Sequence, residues 1–181
     1  MNDRPHLTAA LFIPYLYLCS YSAPGLDLGE CVIEPFTVCL GAQLSNANLG
    51  NTNLSGAALS NANMSGTNLS NANLSSANLS GADLTNAKLF GADLSNAILF
   101  QAKLVDANLA NVRLKGVNLE FADLEGASLL NANLAGASLG GANVTGTALA
   151  GASYDSKTIF TTGFDPAMRG MVFRETPATS N

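Results

Sequence analysis

Between Ala42 and Ser156 the apolar positions of the chain fall on a period of five without a break. The stretch NANLSSANLSGADL (Asn71 to Leu84) shows the unit: a small residue, a polar one, Leu, then two small or polar residues. Twenty-three units align on their central residue, which is Leu in twenty; Met64, Val144 and Tyr154 are the exceptions. Neither regular element can use this period. Five residues advance a helix by about 500°, which scatters the leucines around its axis. In a straight strand an odd spacing sends successive leucines to opposite faces. The pattern therefore predicts a chain that changes direction once per unit.

The other positions say how. Two residues before the centre lies Ala in eighteen units, with Thr52, Thr67, Val112, Val117 and Thr147 as exceptions. Two residues apart on an extended segment, Ala and Leu point to one side, the interior, and the polar residues that flank Leu point outward. Two residues after the centre, eighteen units carry Gly or Asn, the residues that tolerate the backbone angles of a tight corner. Four right-angle corners close a square coil of twenty residues, and stacked coils pair their backbones about 4.8 Å apart. The 115 residues from Ala42 to Ser156 then make nearly six coils, a rod about 28 Å long. Burying a Leu is worth about 1.5–3 kcal/mol, against about 1–2 kcal/mol of backbone entropy for each residue ordered. The leucines alone cannot hold such a rod, and the ladder between coils is required.

These units resemble the pentapeptide-repeat family, whose motif is A(N/D)LXX. The resemblance covers 115 of 181 residues. It implies an all-β fold, a right-handed quadrilateral β-helix with a short N-terminal cap and a short helical C-terminal cap. The division expected is a signal peptide at 1–22, a cap at 23–41, the β-helix at 42–156, and a cap and tail at 157–181. The tail YDSKTIFTTGFDP (Tyr154 to Pro166) is similar to one found in cyanobacterial members of the family, with Thr161 and Thr162 where Pro is usual. Asp165 followed by Pro166 reads as a helix N-cap and first helical residue. A short helix from Pro166 to about Arg169 is expected, with Phe160 and Phe164 over the final coil.

The first residues, MNDRPHLTAALFIPYLYLCSYSAPG, carry one Arg, an apolar run from Leu7 to Cys19, then small and polar residues. That is the layout of a secretory signal, too short for a membrane span, with a cut expected after Ser22. Export to a periplasm or thylakoid lumen is the first expectation and a cytoplasmic protein the alternative. Removal of the signal leaves Cys31 and Cys39. They read either as a disulfide that pins the N-terminal cap or as two small buried apolar residues.

Composition removes most chemistry. Charged residues make up 12% of the chain, the formal net charge is −5, and no basic patch exists for nucleic acid. His6 is the single histidine and lies in the signal, so the mature chain has no imidazole base or ligand. The serines occupy outward positions without a base. No enzyme, cofactor or metal site is expected. Residues twenty apart stack, so Asp83, Lys103 and Asp123 form a row of alternating sign, and Asp93 lies beneath Arg113. These are surface charge ladders rather than a paired-carboxylate site.

Two functions remain. The first is a rod that binds a protein partner or acts as a scaffold, with self-association as a variant of the same idea. Large apolar residues at outward positions are its sign: Phe90, Ile98, Phe100, Val105, Phe121 and Leu130. Ile98, Phe100, Val105 and Phe121 gather at mid-rod and form the candidate partner patch. The alternative comes from the resemblance: quinolone-resistance members imitate a DNA duplex and bind DNA gyrase. The repeats carry seven acidic and four basic residues. That is sparse beside a phosphate charge every ~1.7 Å of duplex axis.

Overall fold

In the computed structural model the chain is described at residue 31 and from 33 to 175. The expected signal (1–22), residues 23–30 and 32 of the expected N-terminal cap, and the end of the tail lie outside the described residues.

Each unit folds into one short extended segment and one turn. The residue before the central one makes a parallel ladder pair with the residue twenty further on, as in the column Gln43, Asn63, Asp83, Lys103, Asp123, Asn143. Three more columns run from Val38, Asn48 and Asn53, so the chain returns above itself every four units. Leu44 N donates to Asn63 O (2.7 Å) and Asn63 N to Ala42 O (2.8 Å), and the same two bonds recur coil after coil. A straight strand cannot bury a period of five; a side of five residues can, because every Leu then meets the same interior.

The corner is a four-residue turn closed by Ala47 N on Leu44 O (3.0 Å) and its equivalents. Its third residue is left-handed, as at Asn46 (φ 59°), which a type II turn requires. Gly and Asn dominate there for that reason. Phe121 takes the same conformation (φ 57°), which is rare for a bulky side chain. Its ring leans onto Gly141 in the next coil, where an added Cβ would lie 2.7 Å from the ring.

The polar residue before Leu also has a defined task. Its side-chain oxygen accepts the N–H two residues on: Ser55 N donates to Asn53 Oδ1 (3.1 Å), and Ser95 N to Asp93 Oδ1 (2.9 Å). Asn and Asp make this bond more strongly than Ser or Thr, which explains their preference at this position. The Ala and Leu columns form the core. Thr67 and Thr147 replace Ala in it and donate their hydroxyls to Leu44 O and Leu124 O, both at 2.8 Å.

The coil begins before Ala42, where the sequence placed its start. Val38 pairs with Ala58, Thr37 is buried in the Ala column, and Cys39 is buried in the Leu column. Cys39 is joined to Cys31 through a disulfide. At the other end Ile159 sits above Ser138, twenty-one residues on, so the last coil holds one extra residue. The insertion turns Asp155 inward. It is buried, and its Oδ1 accepts from Gly136 N (2.8 Å) and Lys157 N (3.0 Å).

Strand β1 (Ser153–Tyr154) pairs in parallel with β2 (Val172–Phe173). Between them the expected helix is a single 3-10 turn, Ala167–Arg169, with Pro166 at its N-cap and Gly170 left-handed at its end. Asp165 still accepts Ala167 N (2.9 Å), one position outside the cap. Three residues before a Gly stop leave no room for α-helical i→i+4 bonds. Phe160 and Phe164 stack at 4.9 Å and pack against the core. Arg169 lies 5.6 Å from the Phe164 ring and donates to Thr147 O (2.9 Å) and Val144 O (3.3 Å).

Candidate interaction surface

Two of the four patch residues meet directly. Phe100 follows Leu99 on one side of the coil, and Phe121 occupies the corner of the next coil up. Their ring centroids are 5.7 Å apart and the planes nearly perpendicular, at 80°. Such an edge-to-face pair is worth about 0.5–1.5 kcal/mol beyond area burial. The left-handed backbone and the Gly141 seat hold Phe121 out from the wall, so it is 59% exposed while Phe100 is half-buried. Ile98, on the same side as Phe100, is 41% exposed. Val105 is half-buried on the adjoining side, one residue past the Leu that follows Lys103. Phe90 and Leu130 are exposed in a third column, with Ala110 between them.

Sequence reasoning missed further exposed apolar groups at the ends. Phe36, Val38 and Leu40 protrude near the start, and Ile159, Met168, Val172 and Phe173 near the finish. The first set was legible: TVCLG (Thr37 to Gly41) is a repeat unit with Cys in Leu's place, which turns Val38 and Leu40 outward.

The charged rows stand as ladders. Asp93 and Arg113 pair across two coils at 3.8 Å, partly exposed, a contact worth about 0–1 kcal/mol. Asp83 is held below the ordinary carboxylate value, first by its hydrogen bonds to Thr85, against a smaller opposing effect of burial, with Lys103 adding a weak attraction. A depressed folded value stabilises the fold above the unfolded pKa, and that contribution fades as pH falls through the folded one. Thr85→Ala is therefore expected to raise the Asp83 pKa toward the free value in a carboxyl NMR titration. An unmoved pKa would assign the shift to other groups.

Among the described residues no His, Cys, Asp and Glu side chains gather as a metal site, and no helix is long and apolar enough to cross a membrane.

A coil of four A(N/D)LXX units with Asn or Gly corners defines a family. The chain belongs to the pentapeptide repeat proteins: the family profile, Pentapeptide repeats, matches eight copies over residues 39–75, 77–116 and 113–151. Such proteins form right-handed β-helices and are in general non-enzymatic interaction modules. No curated protein matches the chain. Solved structures are similar to the chain, among them the following three. One is a pentapeptide repeat protein of the Arabidopsis thaliana thylakoid lumen, 32% identical over 60% of this chain and 66% of that one, TM-score 0.38. A second, from the cyanobacterium Cyanothece, is 36% identical over 68% of this chain and 90% of its own, TM-score 0.29. The third is QnrB1, a plasmid-mediated fluoroquinolone resistance protein, 16% identical over 77% and 83%, TM-score 0.51. At that identity the likeness to QnrB1 concerns the fold alone.

Proposed function

We propose that this chain is a right-handed quadrilateral β-helix that performs no reaction and presents its side to a protein partner. The observation that carries the reading is the Phe100–Phe121 pair, two aromatics held edge-to-face beside exposed Ile98 on a rod whose outward positions are mostly small or polar. Exposed aromatics fixed by backbone geometry contribute contact area at little entropic cost, and such residues dominate binding energies. The charge pattern weighs against imitation of a duplex, because Lys103 stands between Asp83 and Asp123 and Arg113 sits on Asp93. Export to a periplasm or lumen is supported by the Leu7–Cys19 run and by the bonded Cys31 and Cys39, which an oxidising compartment preserves.

The double variant Phe100→Ser with Phe121→Ser is expected to keep its far-ultraviolet circular dichroism and a cooperative melt, with a midpoint lower by several degrees for the lost ring pair. Its capture of partner protein from an extract of the native host should fall at least tenfold. Phe90→Ser with Leu130→Ser, in another column, should capture as the parent does. Undiminished capture by the Phe100 and Phe121 variant would remove the patch from the function.

A further inference from the structure

We infer that the side bearing Ile98 is a dimer interface, occupied by a second copy of this chain running in the opposite direction. The inference rests on the interaction reading above and names its partner. The ladder column of this side has seven levels with Ile98 in the middle. It reads the same in both directions. Asn78 and Asn118 flank Ile98, Ala58 and Ser138 come next, and Val38 and Ile159 close the ends. Val38 is 46% exposed and Ile159 58%. A two-fold axis through Ile98 therefore lays apolar on apolar at the centre and at both ends, small on small and Asn on Asn between. That self-complementarity is what an isologous interface requires.

Charge supports the same occupant. From Val38 to Ile159 this side, counting the ladder column and the residues two further on, carries one charged side chain, Glu120. Interface centres are depleted of charge in the same way. The axis keeps each residue's place across the side and inverts its level, so Glu120 meets the partner's Ser80, beside the partner's Asn78, which offers hydrogen-bond donors. Asn78 is suited to this: its Oδ1 accepts from Ser80 N and Ser80 Oγ, which leaves the Nδ2 hydrogens for another acceptor. The neighbouring side shows that a symmetric column is not sufficient. Asn63, Asp83, Lys103, Asp123 and Asn143 also read alike in both directions, but their axis would set Lys103 against Lys103. Like charges directly opposed repel, so that side is excluded.

Six steps of about 4.8 Å give a contact about 29 Å long and one coil side wide. Its area falls at the low end for specific pairs, below about 1,200 Å² in total, so the dimer should be weak, with dissociation in the micromolar range. The same axis sets Phe100 against the partner's Phe100 and Phe121 over the partner's corner at Gly81, so neither ring meets a charge.

The test is sedimentation velocity of the purified chain from about 1 to 300 µM. The parent is expected to pass from monomer to dimer over that range. Ile98→Glu and Ile98→Lys should each stay monomeric, since each sets like charges on the axis, and an equimolar mixture of the two should dimerise again. Phe90→Glu, an equally exposed position on another side (46%), should behave as the parent. A parent monomeric throughout, or dimers unaffected at Ile98, would overturn the interface. Loss of dimer without recovery in the mixture would overturn the two-fold axis. Capture of a foreign partner through Phe100 and Phe121 by a monomeric parent would sink the dimer and leave the interaction reading intact.

Discussion

Leu99→Ala is expected to lower the unfolding free energy by about 2–5 kcal/mol, the cost of a cavity that cannot collapse. Leu99 is fully buried at mid-rod. Its own coil is tied to the next by Leu99 N on Asn118 O (2.7 Å) and to the previous one by Leu79 N on Ile98 O (2.7 Å). Closing the void would require the coil spacing to change, and every ladder bond above and below resists that. Leu149 lies in the last full coil, where the covering segment can settle, so Leu149→Ala should cost about half as much. Urea melts followed by circular dichroism measure both values. Equal losses at the two positions would mean that the rod relaxes as easily at its middle as at its end, contrary to a stack held by its ladder.

Ending the chain at Ser156 is expected to make it associate through its uncovered end. The deletion removes Ile159 from Ser138 and Val172 from Ser153, and takes the Arg169 guanidinium from Val144 O and Thr147 O. Unpaired ladder groups then face outward, a template for another chain. Light scattering should report association that persists when Ile98→Glu is added, which separates this stacking from side-to-side pairing. Arg169→Ala alone should be milder, a loss of about 1.5–3 kcal/mol for hydrogen bonds from a charged donor, with the pairing at Ile159 and Val172 kept. A truncated chain that stays dispersed would show that the segment after Ser156 is not a cover.

The mid-rod patch was legible in part. Four outward apolar residues could be gathered by counting in twenties, because the ladder period follows from the corner spacing. That count placed Ile98 with Phe100 and set Phe121 one coil on. It could not orient the rings: the edge-to-face contact depends on a left-handed Phe121 leaning onto Gly141, and the motif alone does not say which way a corner side chain tips. Val105 shows the limit from the other side: it is half-buried on the adjoining wall, a degree of burial that counting in twenties does not give.

What the sequence by itself determined is the coil: its period, its interior columns and its ladder register. Each of these depends on a residue and its nearest neighbours along the chain, repeated until no other arrangement buries the leucines. The tertiary structure decided the ends and the exceptions. Cys39 enters the Leu column, Asp155 turns inward around one inserted residue, and a three-residue turn delivers Arg169 to two open carbonyls. The last two depend on contacts between residues nineteen to twenty-five positions apart that occur once each. A periodic signal carries no information about a contact that does not repeat, and the departures that give this rod its surface are of that kind.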